Sequence, residues 1–181
     1  MNMHQLSDIL RGEFKPQEYG QIILPFILER LLGELSDDIR NAFDFDRTIT
    51  KLKKSNIYDL LVSAIAKWEI NTNNPAELGD IFESILLNFS EQTTGEHYTP
   101  KEVVDLTFDL LLNDDFANID EVYDPTCGTA GALGVAQHRI KNVKLYGQEI
   151  NAESHAIATS YLKLIKNDGR IHGTTAGNPN F

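Results

Sequence analysis

Two short stretches of this chain combine turn-forming glycines with acidic side chains. Tyr123–Gly131 (YDPTCGTAG) indicates a strand that breaks into a turn of small residues and then into a helix, and Tyr146–Asn151 (YGQEIN) indicates a second strand that ends in a carboxylate. Gly128 and Gly131 allow the backbone to turn tightly and to approach a ligand, and Glu149 stands where a carboxylate accepts both hydroxyl protons of a ribose. Together they predict a nucleoside-binding crevice at the carboxyl ends of adjacent parallel strands.

These features also have purely structural interpretations. The turn can be an ordinary strand-to-helix connection, and Glu149 can be a solvated charge beside a helix that Asn151 caps. The glycine spacing lacks a G-x-G-x-x-G pattern, which argues against a nicotinamide dinucleotide. Upstream, Thr99-Pro100-Lys101-Glu102 is typical of a helix start with Pro100 at the first helical position, and Tyr98 offers an aromatic face to an adenine or a sulfonium. Ribose binding is the favoured interpretation.

The composition limits the classes of protein to which the chain can belong. The 181 residues are 41% hydrophobic, which is enough for a core, and 27 acidic against 16 basic residues give a net charge of -11. A surface with this net negative charge repels the phosphate backbone of DNA. If the chain acts on DNA, we therefore expect another protein to make most of the contacts to it. The single cysteine, Cys127, excludes an internal disulfide and is expected to be a packing residue, and the five histidines lack metal-ligand spacing. Without a signal core or an apolar run of about 20 residues, a soluble cytoplasmic protein with no membrane contact is expected.

The pattern of apolar residues changes near residue 90. Residues 1–90 show helical stripes throughout, and Pro25 implies a kink or a helix start. One stripe is predicted to run through Ile57, Leu60, Leu61, Ala64, Ile65 and Trp68. Beyond the polar segment 90–96, we predict helices near 100–112, 132–140 and 152–166 that alternate with strands at 121–124, 143–149 and 170–172. We therefore predict an α + α/β chain. Residues 1–92 would form a helical domain, and residues 93–181 would form the first part of an incomplete Rossmann-like, doubly wound domain with two or three strands.

Read together, four segments resemble the modification (M) subunit of type I restriction–modification systems, a DNA adenine-N6 methyltransferase that uses S-adenosylmethionine. Leu10-Arg11-Gly12 together with Tyr19–Leu32 is similar to the helical N-terminal region of that family, and Gly95–Pro100 to the motif before its catalytic domain. Asp124–Gly131 resembles its cofactor-binding motif and Gly147–Asn151 its ribose-binding motif. The four occur in family order and at family-like spacing.

The resemblance implies roles for individual residues. Tyr98, Thr99 and Pro100 would line the cofactor site, and Glu149 would hold the ribose. The methionine portion of the cofactor would be held by Asp124, Pro125, Gly128, Thr129 and Gly131. The helical domain would dock on the specificity (S) subunit, which reads the DNA, within a complex that also contains the restriction (R) subunit. DNA would thus be contacted mainly through the complex.

Two departures from the family pattern bear on activity. Thr174 stands where the family has an acidic or amide residue near the adenine, and the Asn-Pro-Pro-Phe catalytic motif is missing. Asn178-Pro179-Asn180-Phe181 is similar to that motif, but the small, polar segment 172–177 does not provide the apolar strand that should precede it. We therefore assign no catalytic residue and expect a truncated methyltransferase domain that is inactive by itself. Two alternatives stay open: a non-enzymatic subunit that docks on a specificity subunit, and a methyltransferase acting on RNA or protein.

Overall fold

The computed structural model describes residues 3–68, 74–90, 99–112 and 118–173. The chain divides into two compact units, residues 1–97 and 98–181. Tyr98, Thr174 and the segment Asn178–Phe181, on which parts of the sequence interpretation depend, lie outside the described residues.

The first unit is helical. Its described elements are α1 (Met3–Leu10), α2 (Tyr19–Leu32), α3 (Asp37–Ala42), α4 (Phe45–Lys54), α5 (Tyr58–Ala66) and α6 (Pro75–Ser90), with a 3-10 turn at Pro16–Glu18. The α2 helix supplies much of the core, since its buried side chains are Tyr19, Ile22, Ile23, Leu24, Pro25, Phe26, Ile27 and Leu28. Because this helix begins at Tyr19, Pro25 lies inside it and does not mark its start.

Aromatic contacts and one arginine join the helices of this unit. The ring of Phe26 packs edge-on against that of Phe45, with centroids 4.8 Å apart. Arg30 donates to the carbonyl oxygens of Ile65 (2.6 Å) and Trp68 (2.5 Å), and so satisfies carbonyls at the end of α5.

One predicted stripe is only partly buried. Leu61 and Ile65 are buried, but Leu60 is 56% exposed, so the predicted apolar stripe is buried only in part. A helix buries only the face that neighbouring elements cover, and on α5 the covered face holds Leu61 and Ile65.

The second unit is a three-stranded parallel sheet with helices. Its elements are α7 (Lys101–Leu112), β1 (Glu121–Asp124), α8 (Gly131–Arg139), β2 (Lys144–Glu149), α9 (Ala152–Leu164) and β3 (Arg170–Gly173). The strand order is β1-β2-β3, and all pairs are parallel. The α8 helix packs on β1 and β2, α9 packs on β2 and β3, and α7 packs on α8. The predicted order of helices and strands, and the fold class, are confirmed.

Candidate functional site

The carboxyl end of β1 continues into a tight, well-bonded turn. The Asp124 carboxylate accepts from the backbone N–H of Thr126 at 2.9 Å, and the N–H of Cys127 donates to the carbonyl of Gln148 in β2 at 2.9 Å. Gly128 (φ +54°) and Ala130 (φ +74°) both adopt left-handed backbone conformations. The turn therefore delivers the chain directly into α8, whose first backbone N–H groups have no partners within the helix.

Glu149 joins this turn to the end of β2. One carboxylate oxygen, Oε2, accepts from the N–H of Gly128 at 3.0 Å, and the other, Oε1, accepts from the N–H of Asn151 at 2.6 Å. A carboxylate offers about four acceptor positions, so roughly two remain for a ligand. Asn151 caps α9 as predicted, since its side chain accepts from the N–H of Ser154 at 3.0 Å.

Two glycines of the site have different structural requirements. A Cβ at Gly128 would meet no atom within 4 Å, so the space beside this left-handed residue is open to a ligand. A Cβ at Gly147 would lie 2.7 Å from Cys127 Sγ and 2.9 Å from Ile171 Cδ1. Gly147 is thus needed for the turn to pack on β2, a role that the sequence did not reveal because it depends on which residues the fold brings together.

Cys127 is a packing residue, as predicted. Burial, reinforced by the negative charges of Asp124 and Glu149, raises the pKa of its thiol to about 12. At neutral pH the side chain is therefore a neutral thiol and a poor nucleophile. Among the described residues, no group of three or more His, Cys, Asp and Glu side chains is arranged to hold a metal ion.

An ion-pair cluster fixes α7 against α8. The Arg139 guanidinium, which is 24% exposed, binds the carboxylates of Asp105 (2.9 Å) and Asp109 and lies 6.0 Å from the centre of the Phe108 ring. Lys101 also binds Asp105, at 2.9 Å. Hydrogen bonds from Lys101 and Arg139 lower the pKa of the Asp105 carboxyl, so it is ionised at neutral pH.

The cluster matters for the candidate site because Thr99 and Pro100 directly precede α7. Both are exposed, and the Pro100 carbonyl accepts from the N–H groups of Val103 and Val104. The helix begins at Lys101, so Pro100, which was predicted to be the first helical residue, stands one position before the helix.

The structure brings most of the predicted site residues together. Residues of the turn and the start of α8 stand beside Glu149 at the carboxyl ends of β1 and β2: Asp124, Pro125, Gly128, Thr129 and Gly131. Ile150, which the sequence interpretation left out, directly follows Glu149 and is 80% exposed. An apolar side chain this exposed beside the Glu149 carboxylate offers a surface to a ligand, and the signal for it was its position after the carboxylate.

Comparison with known proteins gives consistent matches. A sequence model of the N-6 DNA Methylase family matches residues 73–181. The type I restriction enzyme HindI methylase subunit of Haemophilus influenzae is 31% identical over 97 residues, which cover 48% of this chain and 21% of that protein. The type II methyltransferase M.VspI of Vibrio sp. (strain 343) is 35% identical over 94 residues, which cover 51% of this chain and 22% of that protein. The chain therefore spans about a fifth of the length of these relatives.

Solved structures agree at the level of the fold. The methyltransferase subunit of a type I restriction–modification system from Streptococcus thermophilus matches with a TM-score of 0.59 and 21% identity, over 95% of this chain and 38% of that one. A class I S-adenosylmethionine-dependent methyltransferase from Listeria monocytogenes matches with a TM-score of 0.56 and 16% identity, over 92% of this chain and 49% of that one.

No described helix is both long enough and apolar enough to cross a bilayer. The family match extends over more than half of the sequence, and the chain belongs to the N-6 DNA methylase family.

Proposed function

We propose that the second unit binds S-adenosylmethionine and that the chain is part of a DNA adenine-N6 methyltransferase subunit. The carboxylate of Glu149 carries this proposal, because it reaches the N–H of Gly128 and still has acceptor positions for two ribose hydroxyls. The open space at Gly128 supports it, since a ligand can approach the backbone there.

Each site residue has a role in this proposal. Glu149 accepts hydrogen bonds from the ribose, and Ile150 packs against the base. The methionine portion is held by the turn and the start of α8, namely Asp124, Pro125, Gly128, Thr129 and Gly131. Thr99 and Pro100, with Tyr98, line the site from the start of α7. When bound, S-adenosylmethionine supplies an electrophilic methyl group, and the residues of this chain orient it.

We further propose that the acceptor is the N6 amino group of adenine in DNA. The family match and the names of the two curated relatives support this acceptor over RNA or protein. The 181 residues contain no Asn-Pro-Pro-Phe sequence, so we expect no methyl transfer from this chain by itself. Transfer of labelled methyl groups to DNA by the purified chain would contradict that expectation.

The proposed partner subunits rest on the same similarity to type I methylase subunits. We propose that the helical domain at 1–92 docks on a specificity subunit, in a cytoplasmic complex that also contains a restriction subunit, and that residues 93–181 form the N-terminal portion of the cofactor domain. The net charge of -11 supports a division of labour in which the complex supplies most of the contacts to DNA. A chain that co-purified with a specificity subunit but bound no cofactor would favour the non-enzymatic alternative.

Calorimetric titration with S-adenosylhomocysteine tests the ribose contact directly. We expect saturable binding that weakens by about tenfold or more in Glu149→Gln, because a charged acceptor of the ribose hydroxyls is lost. A ligand analogue without the 2′ and 3′ hydroxyls should bind the native chain weakly. Its affinity for the Glu149→Gln variant should be only slightly lower than its affinity for the native chain. This comparison separates ribose recognition from the contacts that Glu149 makes to the backbone.

Glu121→Gln is the matched control, since Glu121 lies at the amino end of β1, away from the turn. It should bind S-adenosylhomocysteine like the native chain. Equal affinity of Glu149→Gln and the native chain for the hydroxylated ligand would refute the assignment of Glu149.

A further inference from the structure

The α4 helix of the first unit carries a large share of the positive charge of this chain. Its ten residues, Phe45–Lys54, contain four of the 16 basic residues of the chain and one acidic residue, Asp46. The chain as a whole has a net charge of -11, so α4 differs in sign from the rest of the molecule.

Three of the four cations stand in one line on the exposed side of α4. Arg47, Lys51 and Lys54 occupy positions i, i+4 and i+7, which share one face of a helix, and all three are exposed. We call them the basic stripe. Phe45 and Leu52 are buried and anchor the opposite face of α4 in the core. At a rise of about 1.5 Å per residue, the basic stripe spans about 10 Å along the helix axis.

The nearby carboxylates leave most of this charge unneutralised. Asp46 binds Arg40, which lies on α3. Asp44 lies 3.4 Å from the guanidinium of Arg47, but both side chains are more than half exposed, so water screens the pair. Among the described residues, the two lysines of the basic stripe take part in no ion pair.

Helix electrostatics explain only part of the arrangement. Lysines in the last turn of α4 interact favourably with the helix dipole. Arg47 lies in the first turn, where the dipole disfavours a cation, and Arg47 and Lys51 are like charges at i and i+4, which destabilise a helix. The fourth cation, Lys53, lies off the stripe, with Nζ 5.0 Å from the centre of the Tyr58 ring. The basic stripe is therefore suited to an anionic partner more than to the stability of α4.

We propose that the basic stripe binds the phosphate backbone of duplex DNA. It rests on the proposed function, in which DNA is the substrate. One strand of a duplex places a phosphate about every 3.4 Å along its axis, so about three phosphates lie within the 10 Å or so that the stripe spans. Three cations on a helix that is anchored in the core thus match three phosphates of one strand.

The surface of α4 favours a duplex over other anionic partners. Every exposed side chain of α4 is charged or polar. A protein interface usually has an apolar centre from which lysine is depleted, and single strands are held largely by stacking on aromatic rings. Contacts to a phosphate backbone need only cations and polar donors. Three such contacts on an acidic chain give weak binding, which agrees with a complex that makes most of the contacts to DNA.

The salt dependence of duplex binding by the full chain tests the number of contacts. In fluorescence anisotropy with a labelled duplex of about two helical turns, three neutralised phosphates predict that the affinity falls about 40-fold as salt rises from about 25 to about 100 mM. Lys51→Gln should weaken binding and reduce this fall to about 12-fold, because one fewer counterion is released. The triple variant Arg47→Gln/Lys51→Gln/Lys54→Gln should abolish saturable binding.

A second triple variant controls for the change in net charge. Lys141→Gln/Lys163→Gln/Lys166→Gln removes the same charge from exposed positions of the second unit. At about 25 mM salt we expect it to bind the duplex at least about tenfold more tightly than the α4 triple variant. Circular dichroism verifies that each variant is folded.

Three results would each overturn the proposal. They are the absence of saturable binding by the native chain at low salt, equal affinities of the two triple variants, and binding of a single strand or an equally charged poly-glutamate as tight as that of the duplex. Glu149→Gln should bind the duplex like the native chain, and the α4 triple variant should bind S-adenosylhomocysteine like the native chain. Failure of the basic stripe is therefore distinguishable from failure of the proposed cofactor site.

Discussion

Replacing Gly147 with alanine tests how the candidate turn is held on the sheet. The added methyl would lie 2.7 Å from Cys127 Sγ and 2.9 Å from Ile171 Cδ1, where ordinary contacts are about 3.5–4.0 Å. The Ile171 methyl ends a flexible side chain and can rotate away. Cys127 cannot, because it is buried and its N–H is bonded to Gln148. We expect Gly147→Ala to destabilise the second unit by about 1–3 kcal/mol, the usual cost of overpacking.

The double variant Gly147→Ala/Cys127→Ala identifies the cause of that loss. Removing Sγ relieves the shortest contact and leaves Cys127 Cβ at 3.0 Å, so we expect recovery of most of the loss and a coupling energy of about 1 kcal/mol. Hydrogen exchange of peptides that cover β1 and β2 measures the local stability. The sole tryptophan, Trp68, and the amides of α2 belong to the first unit and serve as internal controls. Strictly additive effects of the two substitutions would refute the reasoning.

Three other predictions concern single side chains. Arg30→Met should destabilise the first unit by about 2 kcal/mol in urea unfolding and shift the fluorescence of Trp68, because two hydrogen bonds from a charged donor are lost; an unchanged midpoint would contradict this. Because the pKa of Asp105 is lowered from 3.8, its ion pairs stabilise the fold above that value and are lost as the pH falls through the lowered pKa. Arg139→Gln should therefore show a smaller loss of stability in acid than the native chain, and equal losses would argue against the cluster. Since the pKa of Cys127 is raised to about 12, stability should fall between its ordinary value of 9.0 and about 12, and Cys127→Ser should show a shallower fall in the same titration.

The order of elements in the second unit was predictable because its signals are local. Alternation of short apolar runs with helical patterns indicated β1-α8-β2-α9-β3, and the cap of α9 by Asn151 follows from its position before the helix. Predicted and observed ends differ by at most two residues, and frayed helix ends explain such differences.

Features that depend on long-range contacts were not predictable in this way. The need for glycine at 147 arises from Cys127 and Ile171, which the chain brings to it through the turn and through β3. The exposure of Leu60 depends on what packs against α5, since a helical stripe shows which residues share a face but not how wide the covering surface is. The pairing of Tyr123 with Tyr146, and of Tyr146 with Arg170, likewise requires the register of three strands.

In the proposed function, Glu149 links cofactor recognition to the geometry of the turn. Its two oxygens hold the N–H groups of Gly128 and Asn151, which lie on opposite sides of the carboxylate in the chain. The carboxylate is thus already oriented before any ligand binds, and a ribose that uses its remaining acceptor positions pays little to order it. The same arrangement means that Glu149→Ala removes two backbone contacts together with the ribose acceptor. Loss of binding in that variant alone would therefore not assign a ribose role, whereas a difference between hydroxylated and dehydroxylated ligands would.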